Sequence, residues 1–343
     1  MTDKRHILEL AAPDIADWFD RQDEPSYRAD QLRSWIYDKY ACSAAEMTNL
    51  SKELRSKLRE KFRFDHPHIA ERVSSEDGNT EKFVFELAGG HRIESVAMES
   101  ENGYTYCISS QSGCPLGCTF CATGAMGYGR DLTESEILGQ VLAMAREKGT
   151  LGNVVFMGMG EPLLNLKAVL PALESLTDEE RFALGTRRIT VSTAGITPGI
   201  ERLSGSPARP NLALSLNSPF QEQRTELMPV NEPYPLDDVL VAFENYADRT
   251  GRRLMIEYVL LGGTNTSRDA ARAVAGIAGR LGAMVNLIAY NPARGSDYRS
   301  PERAEVDGFR DVLEDRGVRV TQRYRRGRDI EAGCGQLAGA KEQ

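Results

Sequence analysis

Three cysteines fall within eight residues, in the run Ser112-Gly113-Cys114-Pro115-Leu116-Gly117-Cys118-Thr119-Phe120-Cys121. Glycine tolerates positive φ and proline extends neither strand nor helix, so this C-x3-C-x2-C array reads as a loop. Cysteines are often buried for packing alone, but three this close together point to a soft-metal site. A structural zinc takes four protein ligands, whereas iron–sulfur clusters are held by thiolates. The four histidines, His6, His66, His68 and His91, all precede the array, and no further Cys or His nearby closes the shell. Cys114, Cys118 and Cys121 therefore read as three ligands of a [4Fe–4S] cluster whose fourth iron is left open for a substrate. The alternative outside enzymes is a zinc loop completed from afar, stabilising an RNA-binding module.

Two more cysteines have chemistry in reach. Cys107 lies seven residues before the array, inside an apolar strand. Cys334 sits in Ala332-Gly333-Cys334-Gly335-Gln336-Leu337, where flanking glycines suggest a mobile, close-packed loop and an accessible thiol. A thiolate nucleophile is favoured near cations, and Arg323, Arg325, Arg326 and Arg328 supply them or hold RNA phosphates. Cys42 reads as packing.

The elements that must position these groups alternate. Residues 1–65 read as helical, with apolar spacing at Tyr27, Leu32, Trp35 and Ile36. A second helix is expected from Ser51 to Phe64, apolar at Leu54, Leu58 and Phe62 and basic on its other face. From Glu71 to Met98 the period shifts to two, and the stretch 81–98 reads as a hairpin about Gly89-Gly90, making residues 66–99 a connector to the main domain. From Tyr104 strands and helices alternate. Strands are expected at 104–110, 153–157, 188–192, 211–216, 254–260 and 285–289, with a final one at 318–324. A capping box, Thr133-Glu134-Ser135-Glu136, opens the first long helix between them. Repeated βα units imply a parallel sheet with helices outside, here an open (β/α)6 barrel over residues 100–329 with a tail at 330–343. Ligands gather at the carboxyl ends of such strands. Polar residues fall there in turn: Gly158-Met159-Gly160-Glu161-Pro162, Ser192-Thr193-Ala194-Gly195, Ser215-Leu216-Asn217 and Asn291-Pro292. Each alone is ordinary turn chemistry; together they mark a site.

Bulk properties agree with a globular chain. Its 343 residues are 41% apolar and 27% charged, with no apolar run long enough to cross a membrane and no secretory leader pattern. Six cysteines make no disulfide framework and suit a reducing, cytoplasmic setting. A net charge of −8 argues against a protein that coats nucleic acid non-specifically, while local basic patches remain free to grip a phosphate backbone.

The cysteine spacing resembles that of radical S-adenosylmethionine (SAM) enzymes, in which the open iron chelates SAM. Over nearly its whole length the chain resembles the RlmN/Cfr family of radical SAM RNA methyltransferases. Tyr27-Arg28-Ala29-Asp30-Gln31, Met47-Thr48-Asn49-Leu50-Ser51, the Gly158–Pro162 run and Asp329–Leu337 carry that likeness. The resemblance implies methylation of an adenosine of 23S ribosomal RNA at carbon 2 or, in the Cfr branch, at carbon 8. The carbon-2 branch also treats tRNA. It implies two SAM molecules per turnover, an external flavodoxin- or ferredoxin-like electron donor and a monomer. It further implies that Gly160, Glu161, Ser192, Ser215, Leu216, Asn217 and Asn291 line the SAM site. Cys334 is then the methyl carrier, Cys107 its partner thiol and Glu94 the general base. In this scheme Cys334 is methylated first, and a hydrogen atom is then taken from its S-methyl group. The resulting carbon radical adds to the base, which ordinary methyl transfer cannot attack. Cys107 finally releases the product as a Cys107–Cys334 disulfide.

Five sites depart from the family pattern or divide its branches. Asn217 stands where histidine is usual, and Gly333 where alanine is usual, which should only loosen the loop. Pro162 resembles the carbon-2 branch, whereas Arg187-Arg188 and Ser218-Pro219-Phe220 resemble Cfr. A different radical SAM activity needs no Cys107/Cys334 pair.

Overall fold

The computed structural model describes residues 4–292, 296–322 and 330–337. Apolar spacing makes the N-terminal helices α1 (Ala12–Asp20), α2 (Tyr27–Arg33) and α3 (Lys52–Lys61), and α2 runs into a π turn over Ser34–Asp38. The Ser51 hydroxyl caps α3 by accepting from Leu54 N, while Leu54 and Leu58 are buried. The helix ends at Lys61, short of the expected Phe64, because Phe62 turns extended and Arg63 pairs with the strand-like His6. Several of the basic side chains on α3 are engaged locally. Arg55 donates to Ala45 O, Lys57 pairs with Glu53, and Arg63 with Asp65. The Tyr27–Gln31 and Met47–Ser51 motifs meet where Arg28 donates to Gln31 Oε1 and Asn49 O.

Strands β1 (His68–Ser74), β2 (Thr80–Glu86), β3 (Arg92–Ser100) and β4 (Gly103–Cys107) form an antiparallel meander. The hairpin is not a detached connector: β3 pairs with β4, so the meander continues the main sheet. β4 ends at Cys107 rather than at Ser110. Gln140 Oε1 takes the Ser109 N–H, and the Ser109 hydroxyl crosses to Glu94 O. A two-stranded ribbon, β5 (Gln111–Gly113) and β6 (Tyr128–Asp131), brackets the cysteine loop, which carries the short α4 (Ala122–Ala125).

The alternation then runs α5 (Glu134–Lys148), β7 (Leu151–Phe156), α6 (Leu166–Thr177), β8 (Ile189–Thr193), α7 (Thr197–Ser204) and β9 (Asn211–Ser215). It continues through α8 (Gln221–Leu227), α9 (Leu236–Thr250), β10 (Leu254–Leu260), α10 (Arg268–Leu281), β11 (Met284–Ala289), α11 (Arg303–Glu314) and β12 (Val320–Gln322). All pairs from β4–β7 to β11–β12 are parallel, giving the open barrel of six βα units and a closing strand. The expected extension of the last strand to Tyr324 lies outside the described residues.

Burial explains why the layers hold. The capping box at α5 forms in both directions, Glu136 N to Thr133 Oγ1 and Thr133 N to Glu136 Oε2. The apolar face of α5 (Ile137, Leu138, Val141, Leu142) is buried, and each such side chain contributes about 1.5–3 kcal/mol. One apolar cluster runs from Ile7 in the N-terminal helices to Leu313 in α11. Arg181 ties the N-terminal helices to α5: it donates to Leu8 O and to the Tyr37 hydroxyl and pairs with Glu134 at 3.6 Å. No helix among the described residues is long and apolar enough to cross a membrane.

Candidate active site

Backbone geometry shapes the cysteine loop. At Gly113 φ is +78°, and a Cβ there would lie 2.0 Å from Gly127 O, so only glycine lets the loop fold back. Cys114 N then donates to Gly127 O, and Cys121 N to Cys118 O. Thr119, between Cys118 and Cys121, donates its N–H to Leu227 O at 3.0 Å, which hangs the loop on α8. The three cysteines border one cavity of about 160 Å³. Burial pushes the Cys114 thiol up to about 12 and raises Cys118 as well, so neither ionises in the protein alone. Thiols of this kind lose their protons to a metal that repays the desolvation. Among the described residues no three Cys, His, Asp or Glu side chains converge as ligands of a single ion. Three thiols spread round a cavity instead fit a multi-iron cluster, each thiolate on its own iron, and the residues present suit that group.

The strand ends complete the cavity. Gly160, Glu161, Ser192, Ser215 and Asn217 line it beside the cysteines. Gly160 has φ +97°, and a Cβ there would come within 2.5 Å of Gln111 Cβ. Glu161 is buried; Oε1 accepts from Leu163 N at 3.1 Å and Oε2 from Ala194 N at 2.8 Å. Its burial pushes the carboxyl up to about 7. A carboxylate held so high gains most from a ligand cation such as an ammonium. The Ser192 and Ser215 hydroxyls lie 3.2 Å apart. Asn217 has φ +55°, a left-handed conformation that asparagine and histidine both adopt more readily than most residues. Its Oδ1 accepts from Val259 N, and its Nδ2 faces only the weak acceptor Met228 Sδ at 3.3 Å, leaving an N–H for a ligand. Leu216 does not line the cavity. It is fully buried, and its backbone joins Glu257 O and Arg224. Asn291 is also outside the lining, buried with an orphaned Oδ1 beside Gly333.

Register brings distant residues to one face. In a ladder, paired residues point the same way, so the chain of partners can be followed strand by strand. Val96 opposes Cys107, Cys107 opposes Val155, and Val155 opposes Thr190. Two residues beyond Thr190 is Ser192, opposite Ala213; two beyond Ala213 is Ser215, opposite Glu257. Glu94, two before Val96, thus shares the inner face with Cys107, Ser192 and Ser215. Tyr106 points the other way, its hydroxyl reaching Met144 O at the end of α5. A strand carboxylate reads equally well as exposed surface, but Glu94 is 3% exposed and lies 3.5 Å from Lys82 Nζ.

Cys334 lines the same cavity as the three clustered cysteines. Its segment docks on the cysteine loop: Ala122 N donates to Gly335 O at 2.8 Å, and Thr123 Oγ1 to Leu337 O at 2.6 Å. Gly333 does more than loosen this turn. Gln336 Oε1 accepts from Gly333 N, and an alanine Cβ would stand 2.6 Å from that oxygen. No disulfide links the six cysteines. Arg323, Arg325, Arg326 and Arg328 lie outside the described residues. The sequence reading missed two groups. Glu257 is a buried cavity-lining carboxylate whose Oε1 accepts from Asn286, and its signal was a lone charge amid the apolar 254–260. Arg224 lies on the polar-looking α8, and no sequence pattern marks it.

Comparison with known proteins gives the same assignment. Residues 108–273 match the model of the radical SAM superfamily, and residues 6–63 that of the ribosomal RNA large subunit methyltransferase N-terminal domain. A probable dual-specificity RNA methyltransferase RlmN from Rhodopirellula baltica is 42% identical over 97% of this chain and 91% of its own. The dual-specificity RNA methyltransferase RlmN of Pelobacter propionicus is 41% identical over 99% and 97%. The crystal structure of a radical SAM methyltransferase from Sphaerobacter thermophilus superposes with a TM-score of 0.93 at 39% identity, covering 98% of this chain and all of that one. The chain belongs to the RlmN family of radical SAM RNA methyltransferases.

Proposed function

We propose that the protein methylates carbon 2 of an adenosine in 23S ribosomal RNA, and an adenosine in tRNA, through a methyl group carried on Cys334. The observation that carries this reading is the cavity shared by Cys334 and the three clustered cysteines, with Cys107 on the same inner face of the sheet. When bound, the [4Fe–4S] cluster and SAM supply the methyl group and the means of breaking a methyl C–H bond. Cys114, Cys118 and Cys121 would hold the cluster; Glu161, Ser192, Ser215 and Asn217 would bind SAM, the Glu161 carboxylate offering a charge partner for its ammonium. Cys334 accepts a methyl group as a nucleophile, carries it as a thioether, and stays joined to the base once the new carbon–carbon bond has formed. Glu94, held by Lys82, would remove the ring proton as the adduct gives up its one unpaired electron to the oxidised centre. The Cys107 thiolate would then attack the Cys334 sulfur, the released carbon taking up a proton to become the methyl group and leaving a disulfide for an external dithiol to reduce. A low-potential flavodoxin- or ferredoxin-like protein supplies electrons. Pro162 supports carbon 2.

Expression in cells lacking their own carbon-2 enzyme, followed by mass spectrometry of digested RNA, tests this. The expected product is 2-methyladenosine that vanishes with Cys334→Ala. 8-Methyladenosine would overturn the carbon-2 assignment, and neither product from cluster-loaded protein would overturn the RNA reading of this site.

A further inference from the structure

Arg224 is fully buried on α8, and every one of its partners is a neutral oxygen. Nε donates to Leu216 O at 3.1 Å and Nη1 to Asn231 Oδ1 at 2.5 Å, while Nη2 donates to Ala194 O at 2.6 Å and Ser215 O at 3.4 Å. No carboxylate pairs with it among the described residues. Burying a guanidinium without a counter-charge is costly, and burial lowers it only to about 10, so it remains a cation at neutral pH. Such a charge calls for an anion that the described residues do not provide.

Its surroundings say where that anion sits. Ala194 and Ser215, whose carbonyls grip the guanidinium, line the cavity bordered by Cys114, Cys118 and Cys121. Leu227, one turn along the same helix, holds Thr119 of the cysteine loop. Among the described residues, the Cys118 thiol is close enough for its charge and that of Arg224 to act on each other. A [4Fe–4S] centre with three thiolates carries one net negative charge when oxidised and two when reduced, and a fixed cation nearby favours the second state over the first.

We propose that Arg224 is the built-in counter-charge of the iron–sulfur centre, raising the potential at which it accepts an electron from a low-potential donor protein. The same hydrogen bonds fix the ends of β8 and β9, so Arg224 is a positioning residue as well as an electrostatic one. The inference rests on the three cysteines holding a [4Fe–4S] cluster and not on which RNA carbon is methylated.

The test is a redox titration of the anaerobically reconstituted full chain, followed by the paramagnetic signal of the reduced centre, with iron content measured in each sample. Arg224→Gln is expected to make reduction at least tenfold less favourable, about 59 mV more negative for one electron, while Arg224→Lys retains most of the wild-type value. Asn231→Asp sets a carboxylate against the guanidinium without removing it, at the loss of the Asn231 Nδ2 bond to Gln221 O and with the Thr225 hydroxyl turning from Gln221 O to the new oxygen, and should shift the potential in the same direction. It keeps the test open if Arg224→Gln fails to fold. Equal shifts in the Lys and Gln variants, or an unchanged potential in iron-replete Asn231→Asp, would overturn the proposal. Wild-type protein that takes up no four-iron cluster would sink the cluster assignment itself.

Discussion

The cysteine loop and the Cys334 segment meet at one cavity but are built to different standards. The loop is fixed by the β5–β6 ribbon, by a glycine that nothing else can replace, and by α8 through Thr119. Among the described residues, the Cys334 segment is held by two hydrogen bonds to the start of α4, a Gln336 turn and the buried side chains of Ile330 and Leu337 at its ends. On the proposed reading, a resident cofactor needs ligands held in place, whereas a thiol that accepts a methyl group and then meets a base needs a tether it can leave. The difference in fastening corresponds to a difference in task.

The sharpest way to break this comparison is to exchange the two kinds of cysteine loss. Cys118→Ala should abolish both the cluster and all turnover. Cys334→Ala should keep wild-type iron content and the broad absorbance near about 400 nm while abolishing turnover. If Cys334→Ala also loses iron, the tail is part of the metal site and the contrast fails. Next in size, Glu161→Gln should weaken SAM binding roughly 10- to 100-fold by removing a charge-assisted contact, as calorimetry on the loaded protein would register.

Glu161 also has a pH signature. Its folded value, near about 7, lies above the ordinary carboxylate value, so the folded state holds the proton more tightly than the unfolded one. Its contribution to stability is therefore present at low pH and lost as pH rises through about 7. In metal-free protein, the unfolding free energy of wild type minus that of Glu161→Gln should fall from about pH 5 to about pH 8. A flat or rising difference would mean that the carboxyl is charged throughout.

Smaller effects should mark the tail. Thr123→Val removes the hydroxyl that holds Leu337 O and should cost roughly tenfold in turnover, about 1–1.5 kcal/mol, at unchanged iron content. Gly333→Ala forces only the far end of Gln336 to move, so its effect should stay within a few-fold in the same assay.

Much of this was legible in the chain itself. The cysteine spacing, the capping box and the strand-end polar residues announce themselves because each depends on local chemistry or period. Glu94 was the hard case. Its neighbours give a strand but not its exposure, and only the pairing of β3 with β4 turns it to the inner face. Glu257 was readable in principle, as a carboxylate in an otherwise apolar strand. Arg224 was not, because a helix of glutamines and glutamates looks solvated until the carbonyls of two strand ends, that of Ala194 30 residues away, close around it. Leu216 and Asn291 fell beside the cavity rather than on it, since proximity in sequence to a strand end does not fix where a side chain points.

The central claim, that Cys334 carries the methyl group and Cys107 releases it, is tested most directly with Cys107→Ala. Loaded with cluster and SAM and given labelled ribosomal RNA, that variant should accumulate a covalent protein–RNA adduct on a denaturing gel, absent from the Cys107→Ala/Cys334→Ala double variant. An adduct that survives loss of Cys334, or full turnover without Cys107, would contradict the account.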